Sequence, residues 1–380
     1  MPRYLTYHTA LVVLLIAIVC VPIPTGFGTK KITATPGLYR VLGYAYPRGI
    51  DYFDPYLASY PISTEPRRPL THVVAIQDVD KDPGHWADRS REQQRNGVEA
   101  YSGEQKRSRP YRCLQGGPNV LFETQHPVYP VLESIGRDIT QKVKPKAVIV
   151  ISAHWQSSPS VVEVNTAEHT DMIYDFYGFP SHYYEVQWPH VGSPALAKQI
   201  LELFSEAGIK AKGVSRGPDH GVWAGFMVAF NPKTNPLAVP VVQVSLFDSE
   251  DADQHYKLGQ ALSVLRDEGV QIICTGMSVH NLRDYRRLHM MGDKSYNMPY
   301  TVAFDDALKT AAETPPEERQ KAMKALLQTS DARKAHPTFD HILPIHVAAG
   351  AAGIDAGKQT WTMPEGCMAW GQFRFGEVGA

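Results

Sequence analysis

The sequence predicts an α/β protein: a single domain whose central, largely parallel or mixed sheet is flanked by helices, preceded by a poorly ordered N-terminal extension. Short, wholly apolar, β-branched segments are typical of strands buried on both faces of such a sheet. Segments of helical length separate them, and Gly208 and Gly269 stand where helices would end, directly before the next strand. Strands that alternate with helices in this way indicate an α/β layer.

Three segments carry the strand pattern most clearly. The first reads Lys-Ala-Val-Ile-Val-Ile-Ser at positions 146–152, and residues 239–246 and 270–275 repeat the pattern. Ligands of such sheets bind beyond the carboxyl ends of the strands, so the residues that follow each apolar segment are candidates for a site. Helices are predicted at 130–143, 194–207, 253–268 and 301–312.

Residues 1–28 form an apolar N-terminal segment with features of a targeting signal. An unbroken apolar run at 10–21 follows Arg3 and precedes Pro22. The run is shorter than the roughly 20 residues that span a bilayer. Its order of charge and apolar sequence nevertheless suits a signal peptide or a membrane anchor. We therefore expect membrane anchoring or targeting through this segment, and the alternative is a buried helix in a cytoplasmic protein.

Residues 29–112 are predicted to be a poorly patterned and partly disordered extension. Residues 78–112 are dense in charge and turn formers, with few apolar residues that could form a helical stripe. A segment of this composition buries too little apolar surface to offset the entropy cost of ordering it. The compact domain is therefore expected at 113–380.

The composition of the 380-residue chain favours a small-molecule ligand. Hydrophobic residues make up 43% of the chain, enough for a sizeable core, and the formal net charge is −1 at pH 7. No overall field attracts nucleic acid, so none is expected as a partner. The four cysteines form no C-x-x-C pair, which argues against a zinc ribbon or a disulfide scaffold. Composition leaves the oligomeric state open.

Four histidines stand where an α/β sheet presents its ligands. His154 and His280 follow apolar strand segments, His220 lies between Asp219 and a glycine, and His341 lies near the start of a predicted helix. A lone histidine in such a place is more often a structural residue than a ligand, but four together indicate one site. Their spacing does not name the chemistry, because no compact H-E-x-x-H pattern occurs. A serine hydrolase is a weak alternative, because no candidate serine lies in a G-x-S-x-G motif.

Five short motifs then occur in one order along the chain. They are Gly116-Gly117-Pro118, Ser152-Ala153-His154-Trp155, Asp219-His220-Gly221-x-Trp223, Ser278-Val279-His280-Asn281-Leu282 and Asp340-His341-x-Leu343-Pro344. This order resembles the class III extradiol dioxygenases (the LigB superfamily), and within them the DOPA-4,5-dioxygenase-like branch. The resemblance covers about residues 113–375. It is specific for the family and much less specific for the substrate.

The resemblance implies a metal-dependent enzyme that inserts O2, as cosubstrate, into a catechol-type aromatic ring and opens it. Its metal would be Fe(II), with Zn(II) as the alternative, bound by neutral imidazoles. By resemblance, His154 and His341 are metal ligands, and His280 is the acid/base residue or an additional ligand.

The resemblance also implies residues that act on the substrate. His220 would orient the substrate in the pocket and take part in catalysis. Asp219 and Trp223 would belong to the substrate-binding region, where Asp219 fixes an imidazole and Trp223 forms a wall.

Gln115 departs from the family pattern. The family has a histidine directly before the glycine turn as its first metal ligand, whereas this sequence has Leu114-Gln115-Gly116. A glutamine amide oxygen is a neutral, weak donor and a poor substitute for imidazole on Fe(II) or Zn(II). The residues before it are also atypical, since the basic, turn-like segment 108–112 stands where a short apolar strand is expected. We therefore expect the sheet to lack or replace its first strand.

Two explanations of Gln115 are open. The domain has diverged and become inactive, or a retained intron or misplaced exon start supplies residues 78–115. The abrupt change from disorder-like to family-like sequence favours the second explanation.

Three functional hypotheses are open. The first is an active extradiol dioxygenase, the second an inactive dioxygenase-like binding domain, and the third a zinc hydrolase that uses the same histidines.

Overall fold

The computed structural model describes residues 111–112, 117–291 and 297–378, with the backbone alone at 111–112 and 289–291. The apolar N-terminal segment, nearly all of the predicted extension, and Gln115 lie outside these residues. Among the residues that the structure describes, no helix combines the length and the apolar character needed to cross a membrane. The targeting signal and the first-ligand position therefore stay predictions.

The described residues form eleven strands and nine α-helices. The strands are β1 Tyr111–Arg112, β2 Ala147–Gln156, β3 Val162–Asn165, β4 Ala211–Val214, β5 Val241–Leu246, β6 Val270–Thr275, β7 Val279–His280, β8 Gly357–Trp361, β9 Pro364–Glu365, β10 Met368–Ala369 and β11 Gln372–Phe375. The helices are α1 Val128–Arg137, α2 Pro194–Glu206, α3 His220–Ala229, α4 Ala252–Leu262, α5 Leu282–Met291, α6 Pro299–Glu313, α7 Pro316–Leu326, α8 Ala332–Ala335 and α9 Leu343–Ala351. Shorter helical turns lie at Pro118–Leu121, Asp138–Val143, Ser181–Glu185 and Ser263–Arg266.

A mixed eight-stranded sheet forms the centre of the fold, with the strand order β4-β3-β5-β2-β6-β1-β11-β8. Its central strands β5, β2 and β6 run parallel, and β11 and β8 pair antiparallel at one side. A small second sheet has the order β7-β10-β9 and carries His280 opposite Met368. The predicted central sheet, largely parallel or mixed and flanked by helices, is confirmed.

The core lies on both faces of the large sheet. Ile149 and Ile151 of β2 belong to one apolar cluster, packed with helices α2, α4 and α9. Val148 and Val150 alternate with them along the strand and belong to a second cluster, packed with α1 and α3. Because successive side chains of a strand point to opposite faces, a wholly apolar strand requires cover on both sides. This three-layer packing holds the central strands rigidly.

The sheet position predicted to be lost or replaced is occupied. Tyr111–Arg112 pairs parallel with β6, at Tyr111↔Ile273, and antiparallel with β11, at Arg112↔Phe373. Of the two expected outcomes, loss or replacement of the first strand, these two residues show replacement. Strand pairing uses only the backbone, so a basic sequence can cover the polar edge that β6 and β11 would otherwise leave unpaired.

Candidate metal and catechol site

The candidate site lies at the carboxyl ends of the central parallel strands. β2 contributes His154, two residues before its end, and His220 is the first residue of α3. His341 lies in the turn before α9, and the backbone NH of Met277, just after β6, donates to its carbonyl at 3.1 Å. The ring centroid of His154 is 4.1 Å from that of His220 and 5.1 Å from that of His341. Three histidines far apart in sequence thus form one cluster.

The carboxylate of Asp175 lies between two of these rings. Its Oδ2 is 3.0 Å from Nδ1 of His154, and its Oδ1 is 2.7 Å from Nδ1 of His220. The backbone NH of His220 also donates to Oδ1, at 3.0 Å. Suitable atoms of His154, Asp175 and His220 all lie within 4.8 Å of one another. At these distances the carboxylate can either bind a metal beside the imidazoles or hold both rings in place through their Nδ1 atoms.

His341 and His280 form the other side of the cluster. Asp340 places Oδ2 2.8 Å from Nδ1 of His341. The His280 ring is stacked on His341, with centroids 3.6 Å apart and an angle of 7° between the planes. An imidazole binds a metal through a nitrogen lone pair that lies in the ring plane. The lone pairs of two stacked, nearly parallel rings cannot converge on one ion, so this arrangement favours one ligand and one proton acceptor.

Charge and burial act differently on these groups. Burial tends to raise the pKa of Asp175, but its hydrogen bonds with His154 and His220 and their charges hold that pKa well below its ordinary value. Burial also acts to raise the pKa of Asp340. The charge of His341 and its hydrogen bond outweigh this effect, so the pKa of Asp340 is lowered as well. Both carboxylates are therefore ionised and can only accept hydrogen bonds at neutral pH.

The surroundings of the histidines shift their pKa values in different directions. Burial, then the nearby charge of His341, lowers the pKa of His280 well below its ordinary value. Burial and the charge of His154 lower the pKa of His220. For His154, burial acts to lower the pKa, but the Asp175 hydrogen bond and charge outweigh it and raise the value. His280 and His220 are thus neutral at pH 7, which suits a proton acceptor and a hydrogen-bonding group.

Asp219 is fully buried beneath the cluster. Its carboxylate accepts hydrogen bonds from Oγ of Ser152 at 2.6 Å, Nε2 of Gln243 at 2.7 Å and Nη1 of Arg216 at 2.9 Å. The carboxylate that accepts a hydrogen bond from the His220 ring is that of Asp175 and not that of Asp219. Asp219 thus connects the end of β2, through Ser152, to strand β5 and the loop before α3. Three hydrogen-bond donors to one carboxylate compensate its burial.

Trp223 is fully buried in α3 and supports the segment that carries Asp175. Its Nε1 donates to the carbonyl of Ile173 at 2.9 Å. Its ring lies 5.5 Å from that of Tyr174 and 5.8 Å from that of Phe176, between centroids. Trp223 therefore packs beneath residues 173–176 and holds this segment in place.

Two glycines allow the close approach of elements at the site. A Cβ added at Gly221 would lie 2.7 Å from Oγ of Ser152 and 2.8 Å from Cδ2 of His154. A Cβ added at Gly276 would lie 2.3 Å from the carbonyl oxygen of His341. Both distances are shorter than van der Waals contact, so only glycine lets α3 and the loop after β6 lie this close to the histidines.

The structure brings together His154, His220, His280 and His341, with Asp219 and Trp223 next to them. Gln115 lies outside the described residues. Asp175 and its position between two imidazole rings were not predicted from the sequence. A signal was present, since Asp175 is the single acidic residue within the aromatic run Tyr174-Asp175-Phe176-Tyr177. An ionisable residue among apolar neighbours requires a polar partner, and that requirement could have indicated the site.

Comparisons with known proteins point to one family. A family model described as the catalytic LigB subunit of aromatic ring-opening dioxygenase matches residues 115–370. The 4,5-DOPA dioxygenase extradiol of Beta vulgaris is 36% identical over 267 residues, which are 68% of this chain and 93% of that protein. The protein of the same description from Escherichia coli (strain K12) is 32% identical over 208 residues, 55% of this chain and 73% of that protein.

A solved structure resembles the described fold. The crystal structure of an uncharacterized protein from Escherichia coli K12 matches with a TM-score of 0.52 at 28% identity. The match covers 64% of this chain and 92% of that chain. All four clustered histidines lie within the residues that the family model matches.

Proposed function

This chain belongs to the LigB family, as a DOPA dioxygenase-like protein, and we propose that it opens a catechol-type ring by extradiol cleavage with O2. The observation that carries the proposal is the cluster of His154, His220, His280 and His341 at the carboxyl ends of the central strands. The substrate is a small catechol. Anchoring or targeting by residues 1–28 remains part of this proposal, with the cytoplasmic alternative.

The proposed metal is Fe(II), with Zn(II) as the alternative, held by His154 and His341. Each of these residues has Nδ1 beside an ionised carboxylate, Asp175 and Asp340 respectively. Because the carboxylate can only accept, Nδ1 carries the proton and Nε2 carries the ring lone pair that a metal needs. When bound, Fe(II) would supply a redox-active Lewis acid for the catechol oxygens, whereas Zn(II) would supply a Lewis acid without redox activity.

His280 is the proposed proton acceptor. It is neutral at pH 7 because burial lowers its pKa, and its stack on His341 holds it next to a proposed ligand. A ring nitrogen of His280 takes a phenolic proton from the catechol and later returns it to the opened product. His220 orients the substrate through Nε2, because its Nδ1–H is directed to Asp175.

The proposed function is tested with the full chain loaded with Fe(II) under anaerobic conditions. On addition of O2 and a panel of catechols, O2 consumption and the yellow colour of a ring-fission product are recorded. The Gln115→His variant is tested beside the wild type, because it restores the family's first ligand. Turnover in the wild type supports the enzyme, whereas turnover in Gln115→His alone supports the inactive second candidate described below. If neither consumes O2 with any catechol while both bind iron at one per chain, the proposal is wrong.

Gln115 favours a second candidate, an inactive dioxygenase-like binding domain. Loss of one of three protein ligands would weaken metal binding. This candidate predicts less than one metal per chain in the wild type after reconstitution, with one per chain in Gln115→His. Elemental analysis of both proteins measures this difference, and transcript reads across residues 78–115 show whether Gln115 is encoded in the mature message.

A further inference from the structure

We propose that Asp175 is a positioning residue that joins the two halves of the site, holding the metal ligand His154 with one carboxylate oxygen and the substrate-orienting His220 with the other. The proposal rests on the proposed function and adds a coupling that it does not contain. Metal affinity and catechol binding would then depend on the same side chain, although Asp175 itself touches neither the metal nor the substrate.

The contacts of Asp175 define what it can do. Oδ2 lies 3.0 Å from Nδ1 of His154, and Oδ1 lies 2.7 Å from Nδ1 of His220. Because an ionised carboxylate only accepts hydrogen bonds, it selects the Nδ1–H tautomer of both rings at once. In each ring, Nε2 then carries the lone pair. An asparagine at this position could accept from one ring only, since its amide nitrogen is a donor.

Asp175 is itself fixed by the segment around it. The backbone NH of Ile173 donates to the carbonyl of Pro218 at 2.8 Å, and Nε1 of Trp223 donates to the carbonyl of Ile173 at 2.9 Å. Phe176 is buried on the other side and contacts His220 edge to face, with centroids 5.4 Å apart. Anchors on both sides leave the carboxylate little freedom. A carboxylate fixed in this way can set the orientation of both rings.

Asp175 also accepts a hydrogen bond from a backbone NH group at the start of α3. Asp219 occupies the N-cap position of this helix, but its side chain makes no capping hydrogen bond. The backbone NH of His220, the first helical residue, donates instead to Oδ1 of Asp175 at 3.0 Å. This frees the Asp219 carboxylate for Ser152 and Gln243. A test must therefore separate positioning from a purely structural capping role.

Asp340 provides a matched control. Its carboxylate holds Nδ1 of His341 at 2.8 Å and accepts from Oγ1 of Thr338 at 2.7 Å. It thus supports a metal ligand as Asp175 does, and among the described residues its hydrogen bonds are with His341 and Thr338 and not with His220. Asp175→Asn and Asp340→Asn remove the same kind of support from one ligand each, and only the first also removes the support of His220.

The experiment uses the full chain, Asp175→Asn, Asp340→Asn and His220→Ala, with the double variant of Asp175→Asn and His220→Ala. Zn(II) affinity is measured by competition with a chelator. Binding of 4-nitrocatechol to the metal-saturated proteins is measured by its absorbance. We expect both asparagine variants to lose about 10- to 100-fold in metal affinity, as supporting residues of metal ligands do. At saturating metal, only Asp175→Asn should weaken 4-nitrocatechol binding, by roughly tenfold.

The double variant separates positioning from a structural role. If Asp175 acts on the catechol through His220, Asp175→Asn has no further effect on 4-nitrocatechol binding once His220 is alanine. An equal loss in both backgrounds would overturn the proposal. The Co(II) absorption spectrum is a second readout, because a changed coordination number in Asp175→Asn would make Asp175 a direct ligand and would also overturn it.

His220→Ala keeps the proposal testable if Asp175→Asn does not fold. Removal of the His220 ring takes away one of the two partners that hold the carboxylate, so Zn(II) affinity should fall several-fold although His220 binds no metal. Zn(II) affinity within twofold of the wild type would overturn the coupling. None of these readouts requires turnover, so an inactive domain would leave the coupling intact while the proposed function failed.

Discussion

A substitution at His280 tests the proposed proton transfer most directly. Burial keeps its imidazole neutral, and its stack on His341 excludes convergence of both lone pairs on one ion. We expect His280→Gln to reduce kcat by about 100- to 10,000-fold, the usual contribution of an acid/base group, with one metal per chain retained. Steady-state O2 consumption and elemental analysis measure the two quantities. The exposed His182→Gln is the control, and loss of metal from His280→Gln would instead identify a ligand.

Gly221 gives a second prediction at this scale. An alanine there would place Cβ 2.8 Å from Cδ2 of His154 and 2.7 Å from Oγ of Ser152. We expect Gly221→Ala to lower metal affinity about tenfold, because the His154 ring must move, and to cost about 1–3 kcal/mol of stability. Chelator competition and urea unfolding measure these effects. Gly117→Ala is the control, because no atom of the described residues lies within 4 Å of its added Cβ; an equal loss of stability there would contradict the steric explanation.

Of the candidate histidines, His154 and His280 follow predicted strands and His341 lies near a predicted helix, whereas His220 was singled out only by its neighbours Asp219 and Gly221. Their partners were harder to predict. Asp340 precedes His341 directly, so its contact is local, whereas Asp175 reaches His220 across 45 residues. A long-range side-chain contact depends on how a loop returns to the sheet, and no local pattern encodes that path. The role of Gln115 stays a prediction.

At the scale of elements, the predicted and observed structures differ where a helix is not amphipathic. The strands near 146–152 and 270–275 and the helices near 194–207 and 301–312 are present with small shifts of their ends. Helix α3 was not predicted, because nine of its ten residues are buried and no polar face marks its period. The C-terminal strands β8 to β11 were also missed. They are mostly very short, and antiparallel pairing of a few residues depends on its partners more than on its own sequence.

Arg319 holds the connection after α9 through hydrogen bonds to its backbone. Arg319 of α7 is fully buried and donates to the carbonyls of Asp355 at 2.7 Å and Gly353 at 2.6 Å. Its guanidinium also lies over the Phe375 ring, at 5.2 Å from the centroid. Arg319→Met removes two charge-assisted hydrogen bonds to partly buried carbonyls, so we expect a loss of about 3 kcal/mol in the free energy of unfolding. Urea unfolding at pH 7.5 measures it.

The control for this element is the exposed Arg333→Met. Arg333 pairs with Glu250 at the surface, where solvent reduces the value of an ion pair. We expect Arg333→Met to change the free energy of unfolding by less than about 1 kcal/mol. If the two variants are equally stable, the hydrogen bonds from Arg319 do not hold the connection after α9.

At the scale of the whole molecule, buried histidines make stability depend on pH. Burial lowers the pKa of His255 and the pKa of His336 to about 4 each, whereas an unfolded histidine has a pKa near 6.5. Between these values the unfolded chain binds more protons than the folded chain. The free energy of unfolding therefore falls as pH decreases from about 6.5 to about 4, and the contribution of these residues is complete above that range.

His255 allows this dependence to be tested away from the candidate site. Its Nδ1 donates to the carbonyl of Asp251 at 2.8 Å, and its ring packs edge to face on Phe247 at 5.6 Å between centroids. The linkage corresponds to at most about 3 kcal/mol over the full range. Urea unfolding of metal-free protein from pH 7.5 to 4.5 should show a shallower fall in His255→Gln than in the wild type. His169→Gln, at a ring exposed in both states, should keep the wild-type slope; an unchanged slope in His255→Gln would mean that His255 takes up no proton on unfolding.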